Sequence, residues 1–233
     1  MAGRGNRFKE KGFSIPKYEI RIKGRTLFNW SISSFKNFFD KKIFIIFICL
    51  KSNKSKEFII NEMQRLDFHN WDLIQLDEIT NGQATTALKA KSKIKSIKAP
   101  IIIYNIDTYI NPEALTFSSF KENACIPCFK SKSKNFSFVK LDGNKNVIEI
   151  EEKKIISELA SVGLYGFKSF EQFQYCYNNF YSKNRSDDME RFIAPIYNEL
   201  ISRNEQISVM ILSNDSVKIL GTPEELEKFK NEA

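Results

Sequence analysis

Histidine is nearly absent from this chain: among 233 residues there is one, His69. A nucleophile–histidine–carboxylate relay and a histidine-rich metal centre therefore have little to draw on. Cysteine is scarce, at four. Cys49 and Cys176 stand alone among apolar neighbours and read as small core residues. Cys125 and Cys128 make a Cys-x-x-Cys pair. A structural zinc site needs a second ligand pair, and the surroundings of a thioredoxin-like motif are missing, so reduced thiols of a cytoplasmic protein are expected. No run of about 18 apolar residues occurs, and no membrane-spanning helix is expected. Residues 13–28 carry too many charges for the apolar centre of a signal peptide. No Gly-Lys-Ser/Thr sequence of the P-loop type is found.

What the chain does have is a 42% hydrophobic content, enough for a substantial core. Lys and Arg outnumber Asp and Glu by 36 to 28, a formal net charge of +8. An excess of this sign suits an anionic partner. The basic residues are scattered rather than clustered, which favours nucleotide phosphates over nucleic acid. No repeat or low-complexity linker breaks the chain, so one domain over 1–233 is expected, with a nucleotide-binding half (1–110) and an acceptor-binding half (111–233).

Apolar spacing predicts helices over 26–39, 54–66, 82–97, 169–181 and 189–202. The run Ile43-Phe-Ile-Ile-Phe-Ile-Cys-Leu50 reads as a strand buried on both faces. Further strands are predicted over 72–76, 100–106, 162–167, 206–212 and 216–220. A hairpin is expected around Asp142-Gly143. Thr222-Pro-Glu-Glu opens a closing helix, with a threonine cap, proline at the first helical position and acids in the first turn. Alternating strand and helix predicts an α/β fold with a mostly parallel central sheet flanked by helices on both faces.

Four places carry chemistry. The opening Met1-Ala-Gly-Arg-Gly-Asn-Arg7 is followed by Pro16-Lys17 and Lys23-Gly24-Arg25. Gly3 and Gly5 let backbone N–H groups approach phosphate oxygens, Arg7 adds a fork of donors and Lys17 a mobile point charge. The third glycine of a dinucleotide fingerprint is replaced by Phe8, which disfavours a Rossmann site. Asp107 falls where a hydrophobic strand ends. An aspartate there can hold Mg²⁺ or cap a turn. Asn81-Gly82-Gln83-Ala84 can start a helix, or let a flat base approach Gly82 while Gln83 offers a donor and an acceptor. Glu151-Glu-Lys-Lys154 can be a solvated charged loop.

Glycine loop, Arg-Phe, Pro-Lys and Gly-turn together resemble the sugar-phosphate nucleotidylyltransferases. Tyr104-Asn-Ile-Asp107, Gly82-Gln-Ala84, Glu152-Lys153 with Gly163-Leu-Tyr-Gly-Phe167, and Leu220-Gly-Thr-Pro-Glu-Glu-Leu226 match further blocks of that family, so the resemblance runs from Ala2 to Phe229. It implies the nucleotide-diphospho-sugar transferase fold, which is GT-A-like. It also implies an activity: NTP, with CTP the expected nucleotide, plus a sugar phosphate or other phosphorylated metabolite gives an NDP-substrate and pyrophosphate, in bacterial surface-polysaccharide synthesis. Under that resemblance Ala2, Gly3, Gly5, Gly82, Gln83 and Ala84 bind the nucleotide. Arg7 and Lys17 handle its phosphates, Lys153 meets the acceptor phosphate, and Asp107 holds Mg²⁺. No nucleic acid or membrane partner is implied.

Two departures stand out. The family's second metal aspartate, just before the closing Gly-Thr, is replaced by Ile219, so either Asp107 acts with phosphates and water alone or Glu190 reaches in from the helix over 189–202 as a substitute ligand. The family's buried strand before the glycine loop is also missing, and an upstream start encoding it is expected. Alternative readings are a GT-A glycosyltransferase and a catalytically inactive nucleotide-binding protein.

Overall fold

The computed structural model describes residues 1, 6–121, 123–184 and 190–232. Its strands are β1 (Arg21–Ile22), β2 (Arg25–Thr26), β3 (Ile45–Leu50), β4 (Trp71–Leu76), β5 (Ile101–Tyr104), β6 (Thr108–Ile110), β7 (Ala124–Lys130), β8 (Ser137–Leu141), β9 (Val147–Glu152), β10 (Leu159–Ser161), β11 (Leu164–Phe167), β12 (Ile207–Ile211) and β13 (Val217–Ile219). Its α-helices are α1 (Asn6–Glu10), α2 (Leu27–Ser33), α3 (Lys56–Arg65), α4 (Gln83–Leu88), α5 (Phe170–Lys183), α6 (Asn198–Ile201) and α7 (Pro223–Asn231).

Two compact units share the chain. The first comprises Met1–Ile79, Asn105–Leu115 and Asp215–Ala233; the second, Thr80–Tyr104 and Thr116–Asn214. They interleave and do not coincide with halves divided at residue 110. The reason lies in strand pairing: β13 is antiparallel to β6, Val217 opposite Ile110 and Ile219 opposite Thr108, so the end of the chain joins the segment around Asp107.

In the first unit β3 and β4 run parallel, Ile45 opposite Trp71 through Leu50 opposite Leu76. Phe47 and Cys49 of β3 pack with Phe28 and Ile32 of α2 and Ile59 and Met63 of α3. Thr26 caps α2, its hydroxyl accepting from the Asn29 N–H at 3.1 Å. The helix expected over 26–39 stops at Ser33 and continues as a 3-10 turn over Lys36–Lys41. The Ser33 hydroxyl bonds back to the Asn29 carbonyl at 2.6 Å, a contact that competes with helix propagation.

The second unit holds a seven-stranded sheet in the order β5-β11-β7-β10-β8-β9, with β12 on β7. The expectation of a mostly parallel sheet is corrected here. Among the described residues only β3–β4 and β7–β12 are parallel, and the other ladders are antiparallel. Strand–helix alternation says which segments are strands but not which of them pair: in this sheet only β8–β9 joins consecutive strands, and the other antiparallel partners come from separate parts of the chain. The hairpin at Asp142-Gly143 forms as β8–β9. Strand β7, marked along the chain by nothing beyond its two thiols, is central. One edge is shared by β10 and β11, and the other takes β12. Its Cys125 and Cys128 are free and buried, and burial pushes the Cys125 thiol up to about 12.

Helix α5 packs Phe170, Phe173, Cys176, Tyr177 and Tyr181 into this unit's core, capped by Ser169. Beside them Tyr197 is fully buried and donates to the Gly166 carbonyl at 2.7 Å. Tyr197→Phe removes that donor and leaves the ring in place. A loss of about 1 kcal/mol in urea unfolding is expected, and an unchanged midpoint would show the bond contributes nothing.

Two other helices are shorter than predicted. Residues 82–97 give α4 and a 3-10 turn over Lys89–Ser92. Lys89 and Lys93, and Lys91 and Lys95, would be like-charge pairs one turn apart in a longer helix. Met189 lies outside the described residues, but residues 190–193 are not helical; a 3-10 turn over Ala194–Tyr197 leads into α6. Here the Arg191 backbone bonds to the chain at 81–84, and Pro195 has no N–H to donate.

Candidate active site

In the first unit the site is built around Asp107, in the turn between β5 and β6. Its carbonyl accepts from the Leu220 N–H at 2.8 Å, which brings the closing motif against it. Its Oδ2 accepts from Lys17 Nζ at 2.5 Å. The two side chains keep 22% and 27% exposure, so the pair is partly reached by solvent. Lys17 starts a 3-10 turn behind Pro16. The next residue, Tyr18, is buried and fixes that turn, its hydroxyl 2.6 Å from Ser55 Oγ. Burial alone would raise the Asp107 carboxyl. The Lys17 charge and hydrogen bond and the nearby α-amino group instead hold it below the ordinary carboxylate value. That α-amino group, on Met1, is itself pushed down to about 6, by burial first and then by Lys17.

Gly221 lies beside both acids, where a side chain would crowd Asp107 and touch Glu225. A Cβ there would lie 3.1 Å from Oδ2 of Asp107 and 3.6 Å from Oε2 of Glu225. Glu225 stands in the first turn of α7, behind the Thr222 cap. Its Oε2 is enclosed and has no hydrogen-bond partner among the described residues. Burial raises this carboxyl, and the Asp107 charge adds to that, against hydrogen bonding at Thr222 and Gly221. A pair of carboxylates around a glycine, one with an unsatisfied oxygen, is an oxygen donor set that fits a hard divalent cation such as Mg²⁺. Arg7 is exposed on α1, while Ala2, Gly3 and Gly5 lie outside the described residues.

In the second unit Gly82 precedes α4 with φ +125°. The close neighbour that requires glycine is the Arg191 backbone, 2.6 Å from where a Cβ would be. Arg191 N–H donates to the Asn81 carbonyl at 2.7 Å, and its carbonyl accepts from Ala84 N–H at 2.9 Å. Its guanidinium donates to the Tyr177 hydroxyl at 2.5 Å and lies against the Tyr177 and Tyr181 rings. Sequence reasoning missed this cluster, because Arg191 follows a charged stretch that reads as helix surface. Lys153 follows β9 with φ +57°, its Nζ 4.3 Å from the Phe192 ring centroid and 4.0 Å from Glu190. Glu190 is thus found facing Lys153 from a non-helical segment, and it and Asp107 belong to different units. Beneath Lys153, Glu152 accepts from Ser137 Oγ, and burial raises its carboxyl.

No family model matches the chain, and no curated protein matches it. Solved structures do. Its structural neighbours are nucleotidyltransferases. A nucleoside-diphosphate-sugar pyrophosphorylase from Vibrio cholerae RC9 superposes with a TM-score of 0.90 at 29% identity, over 100% of this chain and 98% of that one. The inositol-1-phosphate CTP transferase from T. maritima superposes with a TM-score of 0.74 at 14% identity, over 99% of this chain and 94% of that one. The α/β fold is therefore that of the nucleotidyltransferases. No described helix is long and apolar enough to cross a membrane.

Proposed function

We propose that this chain transfers a nucleoside monophosphate from an NTP to a sugar phosphate or similar phosphorylated metabolite, releasing pyrophosphate. The observation that carries this reading is the Lys17–Asp107 pair beside Gly221, a partly exposed ammonium and carboxylate in the turn that follows β5 in the chain. Lys17 is placed to take up charge on the phosphates, joined by Arg7. Asp107 would hold Mg²⁺. When bound, that ion supplies charge neutralisation at the phosphates. The acceptor phosphate is already ionised at neutral pH, so the chain needs no general base, which agrees with its single histidine. CTP is the nucleotide of choice in this reading, and a CTP transferase stands among the structural neighbours. A role in surface-polysaccharide synthesis belongs to the same reading and rests on the family resemblance.

Pyrophosphate release is the test: four NTPs crossed with a panel of phosphorylated metabolites, with and without Mg²⁺. Acceptor-dependent, Mg²⁺-dependent release, highest with CTP, is expected. Consumption of a sugar nucleotide without pyrophosphate would replace this reading with a glycosyltransferase. Nucleotide binding without turnover would replace it with a binding protein.

Lys153 is assigned to the acceptor phosphate. Its contact with Glu190 is long, and both side chains are more than half exposed, so it is held weakly. Lys153→Ala is expected to raise the KM for the phosphorylated acceptor roughly tenfold or more, through loss of a charge-assisted contact, with the NTP dependence unchanged. A change confined to the NTP side would reverse the assignment.

A further inference from the structure

Ile219 cannot ligate a cation, and Asp107 alone is a sparse protein contribution to a divalent site. The carboxylate facing Asp107 across Gly221 belongs to Glu225, on the first turn of α7. Resting on the Mg²⁺ reading of Asp107 above, we propose that Glu225 is the second carboxylate of the divalent-cation site, donating through its Oε2.

Three observations carry this. Oε2 is enclosed without a hydrogen-bond partner among the described residues, a state that costs free energy unless something satisfies it. One point, the Cβ position of Gly221, lies within contact distance of both Oε2 and Asp107 Oδ2, so the two oxygens flank a common space. Glycine keeps that space clear. The position of Glu225 is also well determined, because its own N–H donates to the Thr222 cap at 3.2 Å and Leu220 N–H is tied to the Asp107 carbonyl at 2.8 Å. A glutamate at this helical position also suits a capping box, reaching back over the helix start. That role explains its place on the turn but leaves Oε2 unsatisfied. The adjacent Glu224 provides a comparison: it is exposed and 3.8 Å from Lys11, on the same turn.

Mn²⁺ binding to the full chain, followed by electron paramagnetic resonance with and without CTP, tests the proposal independently of turnover. Glu225→Gln keeps the shape and hydrogen bonding of the cap, and Glu225→Asp keeps its charge but withdraws the oxygen by one methylene. Both are expected to lower Mn²⁺ affinity at least about tenfold, with thermal midpoints near the parent's. Glu224→Gln is expected to bind Mn²⁺ like the parent. Parent-like Mn²⁺ binding by both Glu225 variants, while Asp107→Asn loses it, would overturn the role of Glu225 and leave the nucleotidyltransferase reading standing. Loss of affinity in Glu224→Gln equal to that in Glu225→Gln would also overturn it, by reducing the effect to general charge. No Mn²⁺ binding by the parent in either condition would overturn it together with the Mg²⁺ assignment of Asp107.

Discussion

Asp107→Asn is expected to lower pyrophosphate release by at least about a hundredfold, the scale of losing one preorganised electrostatic group, without unfolding the protein. The amide keeps the size and hydrogen-bonding reach of the side chain but removes the charge that Lys17 faces at 2.5 Å. The backbone carbonyl of residue 107 still accepts from Leu220, so the β6–β13 pairing is retained. Near-parent rates at saturating Mg²⁺ would remove Asp107 from the chemistry. The variant also has a signature in stability. Because the folded carboxyl titrates below its ordinary value, its contribution is present above the unfolded pKa and is lost as pH falls through the lower folded one. Asparagine should flatten that acid limb.

Gly82→Ala is expected to cost about 3 kcal/mol or more, among the larger effects for a single methyl group. Two independent strains add. The backbone there holds φ +125°, closed to side-chain-bearing residues, and the new carbon would meet backbone atoms of Arg191 at 2.6 and 2.7 Å. Those atoms cannot rotate away as a flexible side chain would. Relief requires breaking the bonds of Arg191 to Asn81 and Ala84, which would withdraw the guanidinium from Tyr177 and Tyr181. Thermal and urea midpoints measure the loss. A change below about 0.5 kcal/mol, the range of an ordinary surface substitution, would mean the Arg191 segment is free to move.

Elements with a strong local signal were legible in the sequence. The apolar run ending at Leu50, the Ser169 cap followed by spaced aromatics, the Asp142-Gly143 turn and Thr222-Pro223 all mark elements that form. Strand β7 was not legible. Pro127 argues against a central strand, and its cysteines drew attention to thiol chemistry. In the fold, β12 lies beside Pro127, which pairs with Met210 in the parallel register. Of the candidate site, Asp107 and Lys17 were legible separately, 90 positions apart, and the fold brings them into contact. Glu225 was read only as an acid favouring a helix start. Its unsatisfied oxygen is a property of packing, and no spacing along the chain announces it.

The interleaving of the two units has a consequence for how this protein can be cut, lost or exchanged. The chain passes between them after Ile79, Tyr104, Leu115 and Asn214, so no single peptide bond divides one from the other. A break after Tyr104 yields two fragments, each holding part of both units, and neither fragment can complete a core alone. A nonsense codon after Asn214 would spare every residue of the second unit. It would take from the first β13, Gly221 and Glu225, and with them the Leu220 N–H that bonds to the Asp107 carbonyl, while Lys17 stays. The segment from Asp215 onward thus belongs structurally with Met1–Ile79, and a single crossover cannot exchange one unit without cutting the other.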